Sequence, residues 1–255
     1  MGAIERERRG HVEILRINRP EARNAVDGHV TQGFEAALDR LEEDRDVWAI
    51  VVTGTGDVFC AGADLKKIAA GEMNDLFTRR GGFGGFTSRD IGKPLIAAVN
   101  GSALAGGFEI VLTCDLVVAA ENAEFGLPEV TRGLFAAAGG LVRLPKMLPR
   151  AAAMEIGMVG HRISAARAHE LGIVNRVVPR ERVLDEALAL ADAVCANPPT
   201  ATRAARHMLR EAVDLTEVDA WTRSGELAVD VFASEDSIEG ARAFAEKRPP
   251  RWTNP

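Results

Sequence analysis

The chain of 255 residues contains no tyrosine, and this absence excludes every mechanism that needs a phenol. Short-chain dehydrogenases, a frequent class among α/β chains of this length, use a Tyr-x-x-x-Lys pair and are therefore ruled out. Nucleotide-binding signatures are missing as well, because the glycine-rich stretch GSALAGG does not fit G-x-G-x-x-G and no G-x-x-x-x-G-K-[ST] loop occurs.

Cysteines and long apolar runs are also scarce. Cys60, Cys114 and Cys195 are odd in number and far apart, which argues against a disulfide framework and a thiolate metal site. We predict buried thiols and no metal. No uncharged apolar stretch is long enough to span a membrane, and the charged segment 1–10 lacks the pattern of a signal peptide. We therefore predict a cytoplasmic protein without a membrane partner.

Positive charge is in the minority, since the formal net charge is -6. This balance opposes general attraction to nucleic acid, although an acidic protein can still carry a local basic pocket for a phosphorylated ligand. A hydrophobic content of 47% indicates a globular chain that can bury a sizeable core.

Hydrophobic periodicity predicts an α/β core followed by helices. Strands are expected at residues 11–18, 48–54, 96–100 and 173–178, with a helix from an Asp27 cap through Leu41. Further helices are expected at residues 151–158 and 163–172, and then at 180–196, 199–213, 217–232 and 235–247. The glycine-rich segment 71–90 is expected to be either a mobile lid over an apolar pocket or a solvated surface loop.

One stretch, residues 100–130, combines a glycine pair with two carboxylates. The strand before it ends in a turn, and GGFEIVLTCD then reads as a short apolar helix that begins at Gly106. A helix N-terminus offers unpaired N–H groups, so an oxygen gaining negative charge could lie against Gly106. Glu109, three residues later, would share that face of the helix.

A second turn of the same kind occurs in FCAGADLKK, residues 59–67. Gly62 and its small neighbours would let backbone N–H groups point into a site, and Asp64 would cap the next helix. The amide of Ala63 is then a candidate second donor of an oxyanion hole. An ordinary capped turn is the alternative.

Taken in order, RPEARNAV, FCAGADLKK, NGSALAGGFEIVLTCDLVVA and AEFGLPEV closely resemble the crotonase, or enoyl-CoA hydratase/isomerase, superfamily, and most of all its hydratases. The resemblance covers essentially the full chain. It implies an α/β fold with a crotonase-type spiral of ββα units over residues 1–195 and a helical trimerisation region over residues 196–255. A homotrimer or homohexamer is the implied assembly.

The same resemblance implies an acyl-CoA thioester substrate, with coenzyme A entering as part of the substrate and no separate cofactor. The oxyanion donors fall on Ala63 and Gly106, and the catalytic carboxylates fall on Glu109 and Glu129. We assign Glu109 mainly to the attacking water and Glu129 to the α-proton. The two could instead share the water and titrate as a unit.

By resemblance, coenzyme A would be held by residues near the first turn and by the last helix of a neighbouring subunit. The first group is Arg23, Ala25, Ala61, Asp64, Leu65 and Lys66; the second is Phe244 and Lys247. Lys66 is the natural phosphate partner. Alternatively, Lys66, Lys67, Arg79 and Arg80 are solvated surface charges.

Two departures from the family pattern affect the site. Ala105 stands where many members have glycine, a small change that should leave the loop workable. Leu134, Phe135 and Ala136 replace a Pro-Gly pair that often follows the second glutamate. The chain-length preference of typical hydratases therefore does not transfer to this chain.

The predicted activity is hydration of a 2-enoyl-CoA, or the reverse dehydration, through an oxyanion-stabilised enolate and two glutamates. A double-bond isomerase commonly works with one acid/base, whereas a carnitinyl-CoA dehydratase-like enzyme would keep both carboxylates. An AU-rich RNA-binding relative is disfavoured by the net charge. A non-catalytic scaffold that binds coenzyme A would leave the two carboxylates unexplained.

Overall fold

The computed structural model describes residues 2–253. Its strands are β1 Ile4–Arg9, β2 Val12–Ile17, β3 Ala49–Gly54, β4 Val58–Cys60, β5 Phe77–Thr78, β6 Gly82–Phe83, β7 Leu95–Val99, β8 Ser102–Leu104, β9 Leu116–Ala120, β10 Glu124–Gly126, β11 Ile163–Ser164 and β12 Arg176–Val178. Its α-helices are α1 Gly28–Glu43, α2 Leu65–Ala69, α3 Gly106–Thr113, α4 Gly140–Met147, α5 Arg150–Val159, α6 Ala165–Glu170, α7 Val183–Cys195, α8 Pro199–Glu211, α9 Glu217–Ala233 and α10 Glu235–Glu246.

The core is built from a ββα unit that occurs three times. The first strands of the units, β3, β7 and β9, are neighbours in a six-stranded sheet of order β1-β2-β3-β7-β9-β12. The second strands, β4, β8 and β10, are neighbours in a four-stranded sheet of order β11-β10-β8-β4. The units begin at residues 49, 95 and 116, so the spacing is too uneven to appear as a sequence repeat. The predicted ββα core is confirmed.

Parallel pairing in the smaller sheet brings three chain turns to one edge. Cys60 and Phe125 both pair with Ala103, and Gly126 pairs with Leu104. The helices or helical turns that follow β4, β8 and β10 therefore begin side by side. These turns contain the predicted site residues Ala63, Gly106 and Glu129.

Helices cover the larger sheet, and the apolar side chains between sheet and helices form the centre of the fold. Every residue of β3 and β7 is buried, as expected for parallel strands covered on both faces. α1 contributes Phe34, Leu38 and Leu41 to the core, and α7 packs across β3, β7 and β9. The side chain of Asp27 caps α1 by accepting a hydrogen bond from the Val30 amide at 3.0 Å, as predicted.

Most of the predicted elements are confirmed, including β2, β3, β7, α1, α3 and the four C-terminal helices. Strand β1 was not predicted. Its sequence, IERERR, has charges where a strand pattern needs apolar residues, and it pairs with β2 at the sheet edge. Arg6 and Arg8 of β1 form ion pairs with the buried carboxylate of Glu13 at 2.6 and 2.8 Å.

The expectation of a solvated loop for segment 71–90 is wrong for its second half. Residues 81–87 are all buried or nearly so, and Phe83 is only 4% exposed. The Phe86 ring packs 5.1 Å from the Phe34 ring of α1, and the Phe83 ring packs 5.6 Å from the Phe77 ring. The glycines allow the tight turns that bring the rings of Phe83 and Phe86 inward, so this part of the segment belongs to the core.

Helix α8 is attached to the core by a buried ion-pair cluster. Arg206 donates through Nε to Asp115 and through Nη1 to Asp90, both at 2.7 Å. α9 packs on α8 and contains no buried residue, so its apolar side chains are exposed in the single chain. None of the helices within residues 2–253 combines the length and apolar character needed to cross a membrane.

Candidate active site

The turn between β4 and α2 is fixed by side chains from the RPEARNAV segment. Arg19 donates to the Ala25 carbonyl at 2.5 Å and to the Asp64 carboxylate at 3.2 Å. The side-chain amide of Asn24 donates hydrogen bonds to the Thr55 and Val58 carbonyl groups at 2.9 and 2.7 Å. The carboxylate of Asp64 also caps α2 by accepting from the Lys66 amide, as predicted. The backbone around Ala63 is therefore held from both sides.

The turn between β8 and α3 is equally tight, because neighbouring backbone and an aromatic ring leave no room for side chains at its two glycines. A Cβ on Gly107 would overlap the Cys60 carbonyl group, and a Cβ on Gly106 would overlap the Phe83 ring. The Ala105 amide donates to the Gly126 carbonyl at 2.9 Å and ties this turn to β10. Both glycines are thus required by close packing.

The two turns lie against each other. A Cβ on Gly62, whose φ is +93°, would lie 2.7 Å from Ala105 Cβ and 3.1 Å from the Gly106 nitrogen. Within residues 2–253, the amides of Ala63 and Gly106 donate no hydrogen bond to another group of the chain. For Gly106 this follows from its position as the first residue of a helix. Both amides are therefore available to donate a hydrogen bond to a ligand.

Glu109 lies on the first turn of α3 and is 3% exposed. Its Oε1 accepts a hydrogen bond from the Gly140 amide at 2.9 Å. Burial raises the pKa of Glu109, while backbone hydrogen bonds from Gly140 and Ala138 and the charge of Arg143 act in the opposite direction. The carboxyl group is oriented by α4, which begins at Gly140.

Glu129 lies on a short 3₁₀-helix, Pro128–Arg132, that follows β10. Burial raises its pKa to about 7, and the charge of Glu109 acts in the same direction. Its Oε2 is buried and has no hydrogen-bond partner among residues 2–253. A carboxyl group in this state exchanges protons near neutral pH and has one oxygen available for a ligand.

Together these groups can perform acid–base chemistry beside a polarised oxygen. Two coupled carboxyl groups with raised pKa values can divide the roles of base and acid. Two unpaired N–H groups in neighbouring turns are of the kind that can stabilise negative charge on a carbonyl oxygen as it develops. Water addition next to a thioester needs both capacities.

Six of the residues predicted to hold coenzyme A lie in or beside the first turn. The Ala61 amide donates to the Arg23 carbonyl at 3.1 Å, which joins the two segments, and Arg23 itself is exposed. Ala25 is buried, and Asp64 is engaged by Arg19. Leu65 and Lys66 open α2 and are exposed, so they are accessible to a ligand.

Phe244 and Lys247 are not brought to this region in the single chain. No hydrogen bond or ion pair within residues 2–253 joins α10 to the segments that carry the other predicted residues. Phe244 is 88% exposed, and Lys247 ends α10 in a left-handed conformation. Only contact with another molecule could bury this phenylalanine.

Sequence reasoning missed the residues that support Glu109. Gly140 binds its carboxylate, and the pair Gly139–Gly140 opens α4 as Gly106–Gly107 opens α3. That recurrence of a glycine pair before an apolar helix was a usable signal. Phe83, which packs on Gly106, gave no signal because its partner is distant in sequence.

Ala105 carries backbone strain, since its φ of 52° and ψ of -130° lie in a region that favours glycine. We expect Ala105→Gly to raise the free energy of unfolding by about 1 kcal/mol, because relief of strain exceeds the entropy that glycine adds to the unfolded chain. Chemical denaturation would measure this. Ala103→Gly, in strand β8, is the control and should lower stability. An Ala105→Gly variant less stable than the parent would contradict the expectation.

Comparison with known proteins identifies the family and fold of the chain. Residues 7–255 match the family model for enoyl-CoA hydratase/isomerase. The enoyl-CoA hydratase EchA19 of Mycobacterium tuberculosis is 41% identical, with 97% of this chain and 95% of the relative covered. A carnitinyl-CoA dehydratase of Proteus mirabilis is 40% identical, with 96% and 95% covered. The crystal structure of an enoyl-CoA hydratase from Mycobacterium tuberculosis H37Rv gives a TM-score of 0.96 at 45% identity, with all of both chains covered. The chain belongs to the enoyl-CoA hydratase/isomerase family.

Proposed function

We propose that this protein is an enoyl-CoA hydratase, which adds water across the 2,3 double bond of a 2-enoyl-CoA thioester or catalyses the reverse dehydration. The observation that carries the proposal is the pair of carboxyl groups, Glu109 and Glu129, each with a raised pKa and coupled to the other. The relatives named above as a hydratase and a dehydratase support this reaction class.

In the proposed mechanism, the thioester carbonyl oxygen accepts hydrogen bonds from the amides of Ala63 and Gly106. Glu109, as a carboxylate, orients a water molecule and takes one of its protons as the oxygen attacks C3. The double-bond electrons move toward the carbonyl oxygen and form an enolate held by the two amides. Glu129, protonated, then donates to C2. Proton exchange between the two glutamates and solvent restores the starting state.

The pKa of about 7 for Glu129 suits this role, because a substantial fraction of the enzyme then holds a proton for C2 near neutral pH. Glu109 has stronger support as an anion, since two backbone donors and the charge of Arg143 favour its ionised form. The charge of Glu109 also raises the pKa of Glu129, so ionisation of Glu109 helps Glu129 to keep its proton.

For coenzyme A, we propose that Arg23 and Lys66 contact the phosphates and that Ala25, Ala61, Asp64 and Leu65 contact the adenosine and pantetheine. Phe244 and Lys247 would complete the site of a neighbouring subunit. The exposure of large apolar side chains on α9 and α10, including Trp221, Phe232 and Phe244, supports a homotrimer or homohexamer. Three free cysteines fit a reducing compartment, so the cytoplasm is the proposed location.

The similarity to a carnitinyl-CoA dehydratase makes that reaction the second candidate. It requires the same two carboxylates and differs in the acyl group beyond the thioester. Leu134 and Phe135, which follow Glu129, are both exposed apolar side chains, with Phe135 66% exposed. Apolar side chains suit an uncharged acyl chain, whereas an exposed phenylalanine ring is also a suitable cation–π partner for the quaternary ammonium of a carnitinyl group. Turnover measurements therefore decide between the two.

Loss of the conjugated enoyl absorbance of crotonyl-CoA tests the main proposal, and a panel of acyl-CoA thioesters varied in length, branching and charge identifies the acyl group. We expect turnover of straight-chain 2-enoyl-CoA thioesters above that of carnitinyl-CoA. Preference for carnitinyl-CoA would select the second candidate. Binding of thioesters without any turnover would reject both.

A further inference from the structure

Arg143, in the first turn of α4, is a half-buried cation without a carboxylate partner. Its guanidinium donates to the Thr87 carbonyl at 2.5 Å and, more weakly, to the Ala138 carbonyl at 3.4 Å. Within residues 2–253, no carboxylate oxygen lies within 4.0 Å of it. Burial accordingly lowers its pKa. A partly desolvated charge that lacks a counter-ion is costly, so its presence at this position calls for a role.

The guanidinium lies against the turn that holds Glu109. A Cβ on Gly139 would overlap Nη1 of Arg143, so the guanidinium covers that face of the turn. The Arg143 amide donates to the Gly139 carbonyl at 2.9 Å and starts α4, while the Gly140 amide binds the Glu109 carboxylate. The bonds to Thr87 and Ala138 also fasten this turn to the buried segment 81–87.

From this geometry we infer that Arg143 is a positioning residue for the proposed hydration, which keeps the turn at residues 138–140 closed on Glu109 and favours its carboxylate form. The inference rests on the proposed function. Arg143 does not need to touch the substrate, since it acts through Gly140 and through its charge.

The other charged groups around this pair do not duplicate Arg143. Glu129 faces Glu109 and disfavours two simultaneous negative charges. On α8, Arg210 is already paired with Asp115 at 2.9 Å, and Arg206 is paired with the same carboxylate. The thiol of Cys114, at the end of α3, has its pKa raised by burial and is neutral near pH 7. The cation one turn along α4, Lys146, is paired with Asp214 at 2.5 Å.

The test compares pH profiles of kcat/KM for Arg143→Gln, Arg143→Lys and the control Lys146→Gln. Removal of the positive charge raises the pKa of Glu109, so the acidic limb of the Arg143→Gln profile should move to higher pH. Its activity loss should be largest at low pH, on the order of tenfold, with KM changed less than about threefold. Arg143→Lys retains the charge, so its acidic limb should lie close to that of the parent protein. Lys146→Gln should leave the position of the acidic limb unchanged.

A titration that needs no turnover separates this inference from the proposed function. Carboxyl carbon NMR of ¹³C-labelled glutamate, with the Glu109 signal assigned by its absence in Glu109→Gln, follows ionisation directly. An upward shift in Arg143→Gln supports the inference even if the parent protein hydrates no enoyl-CoA, an outcome that would reject only the function. An unchanged Glu109 titration, or an equal activity loss at every pH, overturns the inference. If Arg143→Gln does not fold, the same titration of Arg143→Met decides, because methionine also removes the charge and an unchanged Glu109 titration there overturns the inference.

Discussion

Glutamine at position 109 or at position 129 lowers kcat for the proposed hydration on the order of a hundredfold or more. Glutamine matches glutamate in size and can still accept a hydrogen bond from the Gly140 amide, so the fold and the binding of coenzyme A should persist. It cannot take a proton from water or give one to C2. The loss should therefore appear in kcat, while KM changes little.

The pH dependence separates the two positions. With Glu129 replaced, the activity that remains loses its alkaline limb near the pKa of about 7, because no acid is left to lose its proton. With Glu109 replaced, the acidic limb disappears instead, because no base is left to become protonated. The double variant should be little worse than either single variant, since the two groups act as a unit.

Glu124→Gln is the matched control for these variants. Glu124 lies on β10, on the same strand–turn segment as Glu129, and its carboxylate pairs with Arg162 at 2.7 Å on the surface. Its replacement should leave kcat unchanged. If Glu109→Gln and Glu129→Gln both retained the parent rate, the assignment of either carboxylate to the chemistry would be wrong.

The local parts of the site could be predicted from the sequence. Gly62 followed by Asp64, and the pair Gly106–Gly107 before an apolar run, indicate helices that begin directly after tight turns. Those signals depend only on neighbouring residues. The structure has Asp64 capping α2 and α3 beginning at Gly106, as local chemistry required.

The way these turns come together could not be derived from periodicity. Strands β4, β8 and β10 are three residues each, too short to show an alternating pattern, and they pair in parallel across long sequence separations. Resemblance to a family supplied this arrangement. The contact of Glu109 with Gly140 is of the same non-local kind, as is the packing of Phe83 on Gly106.

The adjacency of the two turns leads to the second large effect, which concerns Gly62. Its replacement by alanine would place a Cβ 2.7 Å from Ala105 Cβ and 3.1 Å from the Gly106 nitrogen. The Gly106 nitrogen is a proposed oxyanion donor, and Ala105 is the residue directly before it in the same turn. No side-chain deletion can remove a backbone donor of this kind. Since a Cβ at Gly62 must push this backbone away, Gly62→Ala should reduce kcat on the order of a hundredfold or more, the usual cost of losing one such donor.

Gly71→Ala separates this displacement from the general cost of alanine at a positive φ. Gly71 has a φ of +84°, close to the +93° of Gly62, but a Cβ there would meet nothing within 4 Å. Both variants lose roughly 1 kcal/mol or more of stability through backbone strain, whereas only Gly62→Ala disturbs Gly106. Thermal melts measure the stability of both variants. Their kcat values for crotonyl-CoA are then compared at a temperature where both are folded. Equal kcat values for the two would show that the amide of Gly106 does not need its present position, and would remove it from the mechanism.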